Sequence, residues 1–227
     1  MTETVDTQEP RQADGLRVLI VDDHDLFRTG LRNLLEEQGI QVVGEAAGGS
    51  DAVRGVRELA PDVVVMDLNM PGMGGVEATR HITGIAPLTR VLVLTISDQD
   101  SDVLDAILAG ACGYLLKDSS IQELLAGIHA ASKGESLISP NIAAKVLQKV
   151  RATTNVPALE EAIRAELSDR EIEVLKLIAN GKDNAQIAAE LHISPKTVKN
   201  HISNILMKLQ IDNRIQAAVY AVRSGIV

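Results

Sequence analysis

The chain has 227 residues, 45% of them hydrophobic, a length that suits two modest domains, each able to bury a core, better than one. Its net charge of −9 is uneven: Leu167 to Val227 carries eight Lys/Arg against six Asp/Glu, leaving 14 against 25 for the rest, the balance of an acidic head that handles cations and a weakly basic tail. No apolar run reaches the roughly 18 to 20 residues that span a bilayer, and Met1 to Asp14 is polar and acidic with no apolar signal region, so a soluble, cytoplasmic protein without a membrane partner is expected. After a tail at 1–15, expected to be disordered, apolar runs predict strands near 17–21, 40–45, 62–66, 90–95 and 112–116. Helical spacing fills the gaps. Leu26, Gly30, Leu31, Leu34 and Leu35 follow Asp25, a candidate N-cap; Val53, Val56 and Leu59 follow Ser50-Asp51; Val103, Leu104, Ile107 and Leu108 follow an acidic stretch; Ile121, Leu124, Leu125 and Ile128 make the last. Five strands alternating with five helices predict an α/β fold, a doubly wound parallel sheet. Cys112, beside Gly113 at the start of the fifth strand, has no partner for a disulfide and reads as a small buried side chain.

Four of these apolar runs end on a polar residue: Asp22-Asp23, Asp67, Thr95 and Lys117. Open α/β sheets bind ligands outside the carboxyl ends of their strands, so these groups are expected to converge. Asp22, Asp23 and Asp67 would form an oxygen-rich site suited to Mg2+. A carboxylate beside such a cation accepts a phosphoryl group, with Lys117 and Thr95 holding the new phosphoryl oxygens. Asp67 stands alone at its strand end and is the expected nucleophile. The Gly- and Pro-rich stretch Asn69 to Gly75 offers a sharply turning backbone next to it. Singly, each of these residues reads as a helix cap or as surface; their recurrence at successive strand ends gives the set its weight.

The segments V-D-D-H at 21–24, M-D-L-N-M-P-G-M-G-G at 66–75, Thr95 and G-Y-L-L-K at 113–117 resemble a response-regulator receiver domain over residues 16–134. The resemblance implies phosphorylation of Asp67 by a sensor histidine kinase, Mg2+ bound by Asp22, Asp23, Asp67 and the backbone carbonyl of Asn69, and a switch pair of Thr95 and Tyr114. On phosphorylation Thr95 would swing toward the phosphoryl oxygens and Tyr114 would turn inward. Asp118 stands where many receivers have proline.

From Ser168 onward the pattern is helical only. Ser168-Asp169-Arg170-Glu171 is a capping box, and the helix it opens stops before Gly181. Asn184 to Leu191 forms a second helix. Ser194 and Pro195 supply the cap and first residue of a third that runs through Met207, with Val198, Ile202, Ile205, Leu206 and Leu209 facing inward. Two helices joined at His192-Ile193 predict a helix-turn-helix whose third helix presents Lys196, Thr197, Lys199, Asn200, Ser203 and Asn204, all hydrogen-bond donors suited to the major groove. L-S-D-R-E-I-E-V-L at 167–175 and I-S-P-K-T-V-K-N-H-I-S-N-I-L-M-K-L at 193–209 resemble the all-α four-helix DNA-binding domain of the NarL/LuxR/FixJ group over 167–227. The resemblance places Lys199, Asn200 and Ser203 at bases and Lys196, Thr197 and Lys208 at phosphates of double-stranded DNA. The last helix, Arg214 to Ser224, is apolar on more than one side, and the surplus is expected to be a dimer face.

Residues 135–166, with an amphipathic stretch Ile142 to Val150 and the run Thr153 to Pro157, read as a linker containing a helix. Hinged there, the unphosphorylated head is expected to pack on the tail and cover its third helix. The whole reads as a transcription factor that dimerises on phosphorylation and binds paired half-sites. A phosphatase working through Asp67 is disfavoured because Asn69 occupies the place of the second acid such enzymes use. A DNA-binding protein with a vestigial acidic pocket is disfavoured by the complete set of site residues, and RNA stacking by a tail whose one aromatic residue is Tyr220.

Overall fold

The computed structural model describes residues 15–96, 100–138 and 166–227. The tail before residue 15 and the helix expected at Ile142 to Val150 lie outside them. In the head, β1 (Arg17–Val21), α1 (Asp25–Glu37), β2 (Gln41–Ala46), α2 (Gly49–Leu59), β3 (Val63–Met66), α3 (Gly75–Ile85), β4 (Arg90–Thr95), α4 (Asp100–Leu108), β5 (Gly113–Leu116) and α5 (Ile121–Ser132) alternate, followed by β6 (Leu137–Ile138). All strands are parallel, in the order β2-β1-β3-β4-β5-β6. The two-residue β6 was not expected; it is too short to carry a pattern of its own and exists by pairing with β5.

The alternation of side chains along each strand builds a layer on either face of the sheet. Val18, Ile20, Val63, Val65, Leu92 and Leu94 join Leu31, Leu35, Leu124 and Ile128 from α1 and α5. Leu19, Val21, Val64, Met66 and Val91 join Ala52, Val56, Ala78 and Ile82 from α2 and α3. Both faces are covered, which explains why the strands read as unbroken apolar runs.

Helix starts depart from the sequence reading in two places. His24, not Asp25, is the cap of α1, and it makes no side-chain cap bond. Asp25 is the first helical residue, where its carboxylate meets Arg28 at 2.6 Å and suits the positive end of the helix dipole. Likewise α2 begins at Gly49 with Gly48 as cap, one turn position ahead of Ser50-Asp51. By contrast α5 opens on a full capping box, Ser120 with Glu123.

The tail consists of α6 (Asp169–Ala179), α7 (Asn184–Glu190), α8 (Pro195–Leu209) and α9 (Arg214–Arg223). Ser168 with Glu171 and Asp183 with Gln186 form capping boxes, Ser194 caps α8 ahead of Pro195, and Asn213 caps α9. His192 takes a left-handed turn between α7 and α8 (φ 54°). Val198 and Ile205 of α8 are fully buried, with Ile202, Leu206 and Leu209 packed at the edge. The apolar surplus of α9 is covered: Ile215, Ala217, Val219, Ala221 and Val222 are buried, and the helix packs on α6, α8 and, across the domain boundary, α4. One continuous core therefore joins Val103, Ile107, Ala111 and Tyr114 of the head to Leu175, Ile187 and Ile226 of the tail.

The turn that carries Asp67 into α3 depends on a missing side chain. A Cβ on Gly75 would sit 2.1 Å from the Asp67 carbonyl oxygen, while Gly84 of the same helix has nothing within 4 Å. Gly75→Ala is expected to destabilise the chain by about 1–3 kcal/mol, and Gly84→Ala to stabilise it by about 0.5–1 kcal/mol, both read from urea unfolding midpoints.

Candidate phosphoacceptor site and helix-turn-helix face

Strand order reverses about β1, so β1 and β3 meet at the switch point where open α/β sheets bind ligands. Met66 is in register with Val21 and with Val93, and Thr95 with Leu116. That register puts Asp22, Asp67, Thr95 and Lys117 at one end of the sheet. Asp22, Asp67 and Thr95 are buried. The Lys117 ammonium lies 2.5 Å from Asp22 Oδ2 and 2.7 Å from Asp67 Oδ2, and its backbone N–H donates to the Thr95 carbonyl at 2.9 Å. Burial pulls the ammonium's pKa down, but its hydrogen bonds to the two carboxylates outweigh that and hold it above the ordinary lysine range.

The second oxygen of Asp67 accepts from the Leu68 N–H at 2.7 Å and the Asn69 N–H at 3.4 Å. Leu68 and Met70 are buried in different core layers while Asn69 between them is exposed, so the loop that follows the carboxylate is anchored at two points. Among the described residues, Asp22, Asp23, His24 and Asp67 place ligand atoms within 4.8 Å of one another. His24 Nδ1 lies 2.8 Å from Asp23 Oδ1, but not along a hydrogen bond, and that buried oxygen has no donor. An oxygen-rich cluster with an unsatisfied buried carboxylate oxygen fits a hard divalent cation. A groove lined by Leu68, Asn69, Val76, Glu77, Arg80 and His81 leads up to the loop.

The sequence reading missed two supports. Arg28 donates to the Asp22 carbonyl at 2.7 Å and bonds Asp25, which braces the loop that carries the acidic pair. Phe27 lies beneath the Lys117 ammonium, 4.6 Å from it to the ring centre. Tyr114 is fully buried in the core shared with the tail, so the residue expected to turn inward is already enclosed in this arrangement. Cys112 is buried, its thiol donating to the Val91 carbonyl at 3.2 Å, and burial pushes its pKa up to about 12. It is structural filler, as expected.

On α8, Lys196, Lys199, Asn200 and Ser203 are exposed, and Thr197 is half-buried with its hydroxyl 2.8 Å from that of Ser194. Two of the lysines have protein partners. Lys199 pairs at 2.9 Å with Glu135, the first residue after the head. Lys208 pairs at 2.7 Å with Glu171, whose carboxylate also accepts from Ser168. Burial raises the Glu171 pKa, yet Lys208 and Ser168 together bring it below the usual carboxylate range. Asn213 joins the domains: its side-chain oxygen caps α9 while its amide donates to the Gly110 and Ala111 carbonyls at 3.3 and 3.1 Å. Gln216 donates to the Ile107 carbonyl at 3.0 Å. Thus the tail donates to one carbonyl in the last turn of α4 and to two just beyond its end.

A doubly wound head with an acidic crevice, joined to a helix-turn-helix tail, defines a receiver coupled to a nucleic-acid-binding module. Residues 18–129 match the response regulator receiver domain and residues 165–221 the bacterial regulatory proteins of the luxR family. The chain is 48% identical over 213 residues to the transcriptional regulatory protein LiaR of Bacillus subtilis, covering 93% of this chain and 99% of that one. It is 39% identical to the response regulator VraR of Staphylococcus aureus over the same shares. Among solved structures, the response regulator ChrA of a heme-sensing two-component system is 37% identical with a TM-score of 0.52, covering 94% of this chain and 99% of that one. The response regulator RcsB in complex with DNA is 26% identical with a TM-score of 0.54, covering 91% and 98%. The chain belongs to the LuxR/NarL-type response regulators, and it is a DNA-binding transcriptional regulator rather than a metabolic enzyme. Among the described residues no helix is long and apolar enough to cross a membrane.

Removing Lys117 leaves two buried carboxylates facing each other. Lys117→Met is expected to lower stability by about 3 kcal/mol, and added Mg2+ to restore more of the melting temperature than it adds to wild type. In wild type this contribution is present below the ordinary lysine pKa and is lost only as pH rises through the raised folded value. Thermal unfolding with and without Mg2+ measures both.

Proposed function

We propose that Asp67 is the phosphoacceptor, charged by a partner sensor histidine kinase, and that phosphorylation opens a closed chain for dimerisation on paired DNA half-sites. The observation that carries this is the buried Asp67 carboxylate at the end of β3, held at 2.7 Å by Lys117 beside the acidic pair. An Asp67 oxygen attacks phosphorus, the bond to the donor's nitrogen or acyl oxygen breaks, and the donor leaves with the electron pair. Asp22, Asp23, Asp67 and the Asn69 carbonyl would hold Mg2+, which supplies the positive charge that offsets repulsion between carboxylate and phosphoryl group. Lys117 then transfers its pairing to the new phosphoryl oxygens, and the Thr95 hydroxyl donates to them.

Tyr114 lies in the core that α4 and β5 share with the tail, so movement of Thr95 and Tyr114 would bear directly on the domain contact. In the closed form Lys199 is tied to Glu135 and the N-terminal end of α9 to α4. Release would free Lys199 to join the already exposed Asn200 and Ser203 at bases, with Lys196, Thr197 and Lys208 at phosphates once Lys208 exchanges Glu171 for one, and would free α9 for a second copy. We take the working division as a head at 16–134, a linker at 135–166 and a tail at 167–227, in a cytoplasmic protein.

Incubation with acetyl phosphate and Mg2+ should add one phosphoryl group by intact mass to wild type and none to Asp67→Asn, with tighter DNA binding and a dimer only in the modified protein. No adduct in wild type would leave a DNA-binding protein controlled by another route.

The closure makes a separate prediction. Gln216→Ala removes a buried bond between the domains, so the unphosphorylated variant should bind DNA about five-fold or more tightly than wild type. In phosphorylated protein, Lys199→Ala or Asn200→Ala should weaken specific binding about ten-fold or more. Fluorescence anisotropy on operator DNA reads all three, and unchanged affinity for Gln216→Ala would remove the closed form from the scheme.

A further inference from the structure

Phe27 is the one phenylalanine in a chain with only 1% aromatic residues, and it sits in the first turn of α1 with its ring 4.6 Å from the Lys117 ammonium. The ring packs against the core layer built by Leu31, Leu35, Leu124 and Ile128, which fixes its place. Among the described residues, the other partners of the Lys117 ammonium are two anions with work elsewhere. Asp22 Oδ2 and Asp67 Oδ2 bind it at 2.5 and 2.7 Å. Asp67 must give up an oxygen to phosphorus, and Asp22 must share its oxygens with a divalent cation. During transfer the ammonium therefore loses the bonds that hold it at rest.

An aromatic face attracts a cation through its quadrupole without competing for a metal or for a phosphoryl oxygen. We propose that Phe27 is a positioning residue for phosphoryl transfer: its ring keeps the Lys117 ammonium at the strand end while Asp22 and Asp67 change partners. This rests on the phosphoacceptor reading of Asp67. An aliphatic residue could fill the same core space but would leave the ammonium with anions alone, free to follow whichever is released. Lys117 is then the group that touches the phosphoryl oxygens, and Phe27 acts through it.

Because Phe27 is the single phenylalanine, growth on fluorinated phenylalanine alters this ring and no other. The mono-, di- and trifluoro side chains keep the shape of the ring and progressively drain its quadrupole. The maximal rate of labelling by acetyl phosphate at saturating Mg2+ should fall stepwise with fluorine number, to a total of about two- to thirty-fold, with Mg2+ affinity not lowered. Phe27→Leu should show the full loss. The same substitutions should lower the melting temperature in the Lys117 protein more than in Lys117→Met, a coupling that packing alone does not produce.

A rate and a coupling that are flat across the series, in protein that is labelled on Asp67, would overturn the role of Phe27 and leave the phosphoacceptor reading intact. Wild type that takes no phosphoryl group would overturn that reading, and the positioning role with it. The melting coupling would then report only a resting contact.

Discussion

Three carboxylates brought to one end of a parallel sheet repel one another, and the structure depends on how that repulsion is contained. Asp22 and Asp67 are both buried, just past the ends of adjacent strands. Each would be costly alone. Lys117 reaches both from the far side of β4, while Asp67 turns its other oxygen to the Leu68 and Asn69 N–H groups. The single ammonium closes the crevice from β1 to β5. It also leaves one carboxylate, Asp23, with an oxygen unsatisfied. The resting charge balance is therefore incomplete in the direction that a divalent cation completes.

The second constraint is the shared core. Helix α4 ends at Leu108, and the carbonyls of Ile107 in its last turn and of Gly110 and Ala111 just beyond it find donors in Gln216 and Asn213 of the tail. Asn213 gives its oxygen to the N-terminus of α9 and its amide to the head, so one side chain serves both domains with nothing left over. Tyr114 is enclosed in the same cluster. A change at the end of β4 that moves α4 would therefore disturb the bonds of α9, and separation of the domains would take the side-chain donors from Gly110 and Ala111 and leave Ile107 with the Gly110 N–H. The coupling is reciprocal by construction.

Much of this was legible in the sequence. The five long strands, the polar residues at their ends and the capping box at Ser168 are local signals, set by continuous apolar runs and by residues three positions apart. The crevice was legible because strand ends in this topology share one edge. What was missed depends on pairing across long separations. Phe27 meets Lys117 ninety positions away, Arg28 reaches back to a backbone carbonyl, and Lys208 meets Glu171 across two helices. Strand β6 has no pattern of its own, and the start of α1 shifted because an Asp in the first turn is as favourable as an Asp at the cap. The surplus apolar face of α9 was visible as surplus, but its cover by α4 was not, since a sequence shows that a face needs burial without showing what buries it.

The domain contact also has an order of importance. Lys199 and Glu135 are both about half exposed, with side-chain exposures of 56% and 45%. Such a pair contributes about 0–1 kcal/mol and weakens with salt. The buried amides of Asn213 and Gln216 and the apolar core around Ile107 are sheltered from solvent and carry the contact. Salt in the range that screens surface charges would therefore loosen Lys199 without separating the domains. Opening would need a force on α4 itself, and the ends of the strands on either side of it carry Thr95 and Lys117.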